Sequence, residues 1–66
     1  MSDISKRIFI IMKEQGITQK ELAEACNIGQ STISDWKTKG TDPQAKHIIP
    51  IAKALGQSTD FILGGL

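Results

Sequence analysis

The sequence predicts an all-α fold, one compact domain of five short helices, and three observations predict it. Apolar residues recur three and four apart in successive segments, glycine, asparagine or a hydroxyl cap marks the segment boundaries, and nothing reads as a strand. Sixty-six residues is less than half of the roughly 150 that serves as a length prior for a domain, so residues 1–66 are one domain or a fragment of something longer. With 39% hydrophobic and 23% charged residues, the chain is too apolar to be disordered.

The elements follow in order. Ile4, Ile8 and Ile11 line one face of a first helix over about Ile4 to Gln15, and Gly16 offers its left-handed stop. Ile17 is a buried hinge. Thr18-Gln19-Lys20-Glu21 is a capping box that starts a second helix at about Gln19; Leu22, Ala23 and Cys26 point inward and Asn27 ends it. The third helix has Ile33 and Trp36 on its apolar side, with Gln30, Ser31, Ser34, Asp35 and Thr38 opposite, and Gly40 closes it. Thr41-Asp42-Pro43 reads as a loop with an N-cap and a first-turn proline. Ile48, Ile49, Ile51, Ala52 and Leu55 make a fourth helix closed by Gly56, either kinked at Pro50 or regular only from about Ile48 with Pro50 in its first turn. Ser58 caps a fifth, Thr59 to Leu63, with Phe61 and Ile62 apolar and Gly64-Gly65 after it.

Composition narrows function mainly by exclusion. Eight Lys plus Arg against seven Asp plus Glu leave +1, so a nucleic-acid partner must be argued from where charges sit, not from how many there are. Cys26 is the sole cysteine and His47 the sole histidine; together they make neither a disulfide nor a four-ligand zinc site, and a reduced, cytoplasmic setting fits. The longest apolar run, Ile8 to Met12, is far short of the about 18 residues of a membrane span. No nucleophile with a base, paired carboxylates or glycine-rich phosphate loop is visible, so catalysis, a cofactor, a metal and a small-molecule substrate are not expected.

The informative stretch runs from about Thr18 to Lys37. Two helices meet there at a steep angle through a short turn: Ala23 allows close approach, while Ile28, Ile33 and Trp36 lock the angle. Such a unit presents the outer face of its second helix, about residues 30–38, narrow enough to enter a major groove. These motifs, with Gly16-Ile17-Thr18-Gln19, Leu22-Ala23-Glu24, Ser31-Thr32-Ile33-Ser34-Asp35-Trp36, Asp42-Pro43 and Ile51-Ala52-Lys53-Ala54-Leu55-Gly56 running into Asp60-Phe61-Ile62-Leu63, resemble a helix-turn-helix domain of the phage Cro and repressor type over nearly the whole chain. The resemblance implies a lambda repressor-like five-helix bundle in a sequence-specific double-stranded DNA-binding transcriptional regulator, a repressor acting as a homodimer on an inverted-repeat operator. It further implies that Gln30, Ser31, Ser34 and Asp35 face base edges and that Gln19 holds a phosphate. Lys37, Lys39 and Lys46 follow the third helix as candidate phosphate ligands. The competing function is an interaction module, antitoxin-like or the DNA-binding half of a larger repressor.

Three departures stand out. Asn27 replaces the turn glycine, Pro50 replaces a helix-compatible residue, and Met12 and Lys37 stand where relatives often pair an arginine with a glutamate, so that Lys37 is expected to lay its stem over Met12. Plainer roles are assigned elsewhere: Cys26 and Trp36 to the core, and His47 to the surface, with a phosphate contact as its alternative. Phe9, Ile10 and Met12 exceed what the first helix needs for its core face; they are expected to widen the core or to be covered by the fifth helix, a partner subunit or a further domain.

Overall fold

Three of the five helices start at a side-chain cap and four stop at a left-handed residue, local groups that replace hydrogen bonds the helix ends lack. The computed structural model describes residues 2–65, which form α1 (Asp3–Gln15), α2 (Gln19–Cys26), α3 (Gln30–Thr38), α4 (Ala45–Leu55) and α5 (Thr59–Gly64). Ser2 and Ser58 accept from the Ser5 and Phe61 amides at the starts of α1 and α5. At α2 the capping box is complete: the Glu21 amide donates to Thr18 Oγ1 at 3.1 Å and the Thr18 amide donates to Glu21 Oε1 at 3.0 Å. Gly16 and Asn27 close α1 and α2 in the left-handed region, and Asn27 (φ 55°) is the one non-glycine residue with positive φ among those described.

Every helix contributes one apolar side chain with no exposed surface: Ile8, Leu22, Ile33, Ile51 and Ile62. Around them close Ile11, Met12, Ala23, Cys26, Trp36, Ile48, Ala52 and Leu55, a single core with α2 between α3 and α4 and with α1 across α3, α4 and α5. A Cα radius of gyration of 10.4 Å matches a compact domain of this length, about 11 Å by the usual scaling. Side chains of α1 also tie down distant backbone. Gln15 Nε2 donates to the Leu55 carbonyl at 2.7 Å, Arg7 to the Ile62 carbonyl at 2.8 Å, and the buried Ser5 hydroxyl to the Thr41 carbonyl at 2.7 Å. The first two satisfy carbonyls at helix ends, and the third pins the loop after α3.

Two expectations need correction. α4 begins at Ala45 and not about Ile48, with Pro50 inside it, so the reading that put Pro50 in the first turn fails. Its N-cap is Gln44, which leaves Pro43 outside the helix and Asp42 without a capping role. Pro50 has no N–H for the Lys46 carbonyl, one turn back; a proline is tolerated there because burial of Ile48, Ile51, Ala52 and Leu55 holds the helix regardless. Ile49, counted with the apolar positions of that helix, is 58% exposed because it falls between the buried positions. On α1, Met12 widens the core, Phe9 packs half-buried against it, and Ile10 is 50% exposed.

Ile51→Ala leaves a cavity at the centre and is expected to cost about 2–5 kcal/mol, whereas Ile49→Ala stays within about 0.5 kcal/mol, both read from urea unfolding. The capping box gives a pH signature. Hydrogen bonds from Thr18 lower the Glu21 carboxyl below its usual 4.5, so its contribution is complete above that value and disappears as the pH falls through the lower folded-state value. Glu21→Gln keeps an acceptor that does not titrate, and its stability is expected to fall less than the parent's on acidification.

Candidate nucleic-acid interface

The outer face of α3 is what its packing leaves over. Residues advance about 100° each, so with Ile33 and Trp36 buried, Ser31, Ser34, Asp35 and Thr38 occupy the opposite side, Gln30 and Lys37 one flank, and Thr32 and Lys39 the other. Gln30 and Ser31 are exposed, Ser34 and Asp35 half-buried. Gly29 caps α3 without a side-chain bond, leaving the first amides of the helix open to an acceptor.

Gln19 and Ser34, fifteen positions apart in sequence, are joined: the Ser34 hydroxyl donates to Gln19 Oε1 at 2.9 Å. This bond ties the first turn of α2 to the middle of α3. It commits the Ser34 proton, so Ser34 can meet a base only as an acceptor, and it leaves the Gln19 Nε2 group as the donating end. The capping box fixes the turn that carries Gln19, because Thr18 and Glu21 set the backbone on both sides of it.

The four charged candidates do not share one environment. Lys37 is exposed and lines a groove to which Met12 and Gln19 also contribute. Lys39 Nζ lies 3.6 Å from Asp35 Oδ2, one turn away, with side chains 68% and 48% exposed. A pair this open to water contributes little to stability; it partly cancels charge at the end of the helix. Lys46 lines a second, polar groove together with Thr32, Asp35 and Asp42. His47 is half-buried and Gln44 exposed on that groove. Gln44 escaped the sequence reading because it sits in a loop with no spacing rule. On the other side Lys6 and Lys13 were missed, since only the fold brings α1 beside Gln19 and Lys37.

Other chemistries find little here. Cys26 is buried, and desolvation raises its thiol above the usual value, which keeps it protonated and unreactive. Among the described residues, no three His, Cys, Asp or Glu side chains converge as a metal site, and no helix is long and apolar enough to cross a membrane.

Comparisons agree with this geometry. A family profile described as helix-turn-helix matches residues 8–62. The chain is 33% identical over 61 residues to the HTH-type transcriptional regulator ImmR of Bacillus subtilis (strain 168), covering 92% of this chain and 48% of that one. It is also 33% identical over 66 residues to the repressor protein CI of Enterobacteria phage phi80, covering 98% and 27%. It therefore spans less than half the length of these relatives. Among solved structures, the P22 c2 repressor in complex with synthetic operator 9T superposes with a TM-score of 0.84 at 27% identity, covering all of both chains. The solution structure of the P22 c2 DNA-binding domain gives 0.83 at 29% identity, covering 94% and 82%. With its five helices, its α2–α3 unit and a profile match across most of its length, the chain belongs to the helix-turn-helix family.

Proposed function

We propose that this chain is the DNA-binding domain of a transcriptional repressor that reads the major groove of an operator with α3. The observation that carries the reading is the Ser34–Gln19 hydrogen bond beneath an exposed Gln30 and Ser31. It makes one rigid surface from a base-facing helix and a backbone-facing helix start. The P22 c2 repressor, whose fold this chain shares, was solved with a synthetic operator.

On this reading Gln30 makes the main base contact, its amide matching adenine N6 and N7, and Ser31 adds a shorter one. Ser34 accepts from a base donor while holding Gln19, whose Nε2 group donates to a phosphate oxygen together with the first amides of α2. Asp35 accepts only from a donor such as cytosine N4 and repels phosphate, so it favours the right sequence chiefly by penalising wrong ones. Lys37 and Lys46 clamp the backbone from opposite sides of α3, and Lys39 joins them when it leaves Asp35. One domain neutralises few phosphates, so operator binding takes two, as a homodimer on an inverted repeat with recognition helices about 34 Å apart. A protonated, unpaired Cys26 suits the reducing cytoplasm in which such a regulator meets its DNA.

Selection of bound sites from random duplex DNA is expected to return an inverted repeat; recovery of no motif overturns the reading in favour of an interaction module. On the selected site, Gln30→Ala is expected to cost about 1–3 kcal/mol and to relax preference at one base pair. Lys39→Ala is expected to weaken all sequences alike and to reduce the salt slope by about one contact. A double-mutant cycle on Ser34→Ala and Gln19→Ala is expected to be strongly non-additive, since either change breaks the same bond; additive losses would show that the two act separately.

A further inference from the structure

The face of α1 beside the proposed phosphate clamp carries a groove of about 390 Å³, within the size range of ligand clefts, which begins near about 300 Å³. Met12, buried, is one of its lining residues. Phe9 and Ile17, half-buried, and Ile10, 50% exposed, supply apolar walls. Lys6, Lys13 and Lys37, all exposed, ring it, and no carboxylate among the described residues lines it. Apolar walls are of no use to a phosphate backbone, and a ring of lysines is of no use to a purely apolar ligand. A second copy of this chain is disfavoured too, because pairing this face about a two-fold axis sets lysines against lysines.

We propose that this groove is the docking site of an acidic, amphipathic segment of a partner protein, with large apolar anchors between Phe9 and Ile10 and carboxylates on the surrounding lysines. Met12 and Lys37 supply the two halves of the site side by side, an apolar surface and an exposed cation. Gln19 and Lys37 belong at once to the groove and to the proposed phosphate clamp. A bound partner therefore covers part of the DNA interface, and partner and operator compete. The competition rests on the DNA-binding reading above; the docking does not.

The test is a nuclear magnetic resonance titration of the whole chain with a short synthetic peptide, leucine at i, i+3, i+4 and i+7 and glutamate at most other positions. Saturable shifts centred on Phe9, Ile10, Lys13 and Ile17 are expected. They are to be absent when lysine replaces the glutamates or alanine the leucines. Ile10→Ser, at an exposed position, is expected to weaken the peptide by about tenfold while leaving helicity by circular dichroism and binding to duplex DNA unchanged. The basic peptide binding equally well, or the acidic one binding nowhere or elsewhere, overturns the docking site. The peptide seated in the groove without reducing the affinity for duplex DNA overturns the competition alone. A chain that binds no duplex at all removes the DNA-binding reading, and peptide binding is still measured directly.

Discussion

The structure depends on one shared constraint: five short helices must each send one side chain into the same centre. Ile8, Leu22, Ile33, Ile51 and Ile62 have no exposed surface, and they come from α1 to α5 in order. None of the helices is long enough to be secure alone in water. α2 has eight residues, α3 nine and α5 six, against the roughly 12–15 at which an isolated helix is even marginal. Each exists because it is docked, and docking fixes its rotation. The outward face of α3 is thus determined by Ile33 and Trp36 as much as by the polar residues that compose it.

That coupling explains why the candidate interface is stiff where it matters. α2 is gripped at its start by Thr18 and Glu21, buried through Leu22, Ala23 and Cys26, and turned toward α3 by the left-handed Asn27. Gln19 is the first residue of that fixed element, so the bond from Ser34 joins two positions already set by the core. Holding a donor in place before a ligand arrives lowers the ordering cost of binding, which helps a domain that, on the proposed reading, meets only a few phosphates. If Gln19 holds a phosphate as proposed, the same turn both starts a helix and presents that ligand, so stability and recognition are not separable there.

Much of this was legible in the sequence, and the reason is local chemistry. Gly16, the Thr18-Glu21 box, Asn27, Gly56 and Ser58 each satisfy a helix end by a rule that involves only near neighbours, and all act as read. The start of α4 was not legible, because Gln44 caps without a side-chain bond while Pro43 and Pro50 both suggest other boundaries. Burial of Ile48 and Ile51 overrides the proline, and no local rule contains that information. The direction of α3 was available from the spacing of Ile33 and Trp36. The partners of its polar face were not: Ser34 to Gln19 spans fifteen positions, and Lys6 and Lys13 reach the edge of the site only once α1 has packed.

The net charge of +1 sharpens what placement has to accomplish. A field that weak gives little long-range steering toward DNA, and what it gives is screened within about 8 Å at physiological salt. The attraction must be local. On the proposed reading, Lys37 at one flank of α3 and Lys46 at the other supply it, while Asp35 beside Lys39 subtracts from it in the middle. A carboxylate at the centre of a cationic frame lowers affinity for every sequence that offers it no donor, and the loss is smallest where a donor stands opposite. On that reading, discrimination comes from a balance between flanking attraction and central penalty, a way for a nearly neutral domain to be selective without being strongly basic.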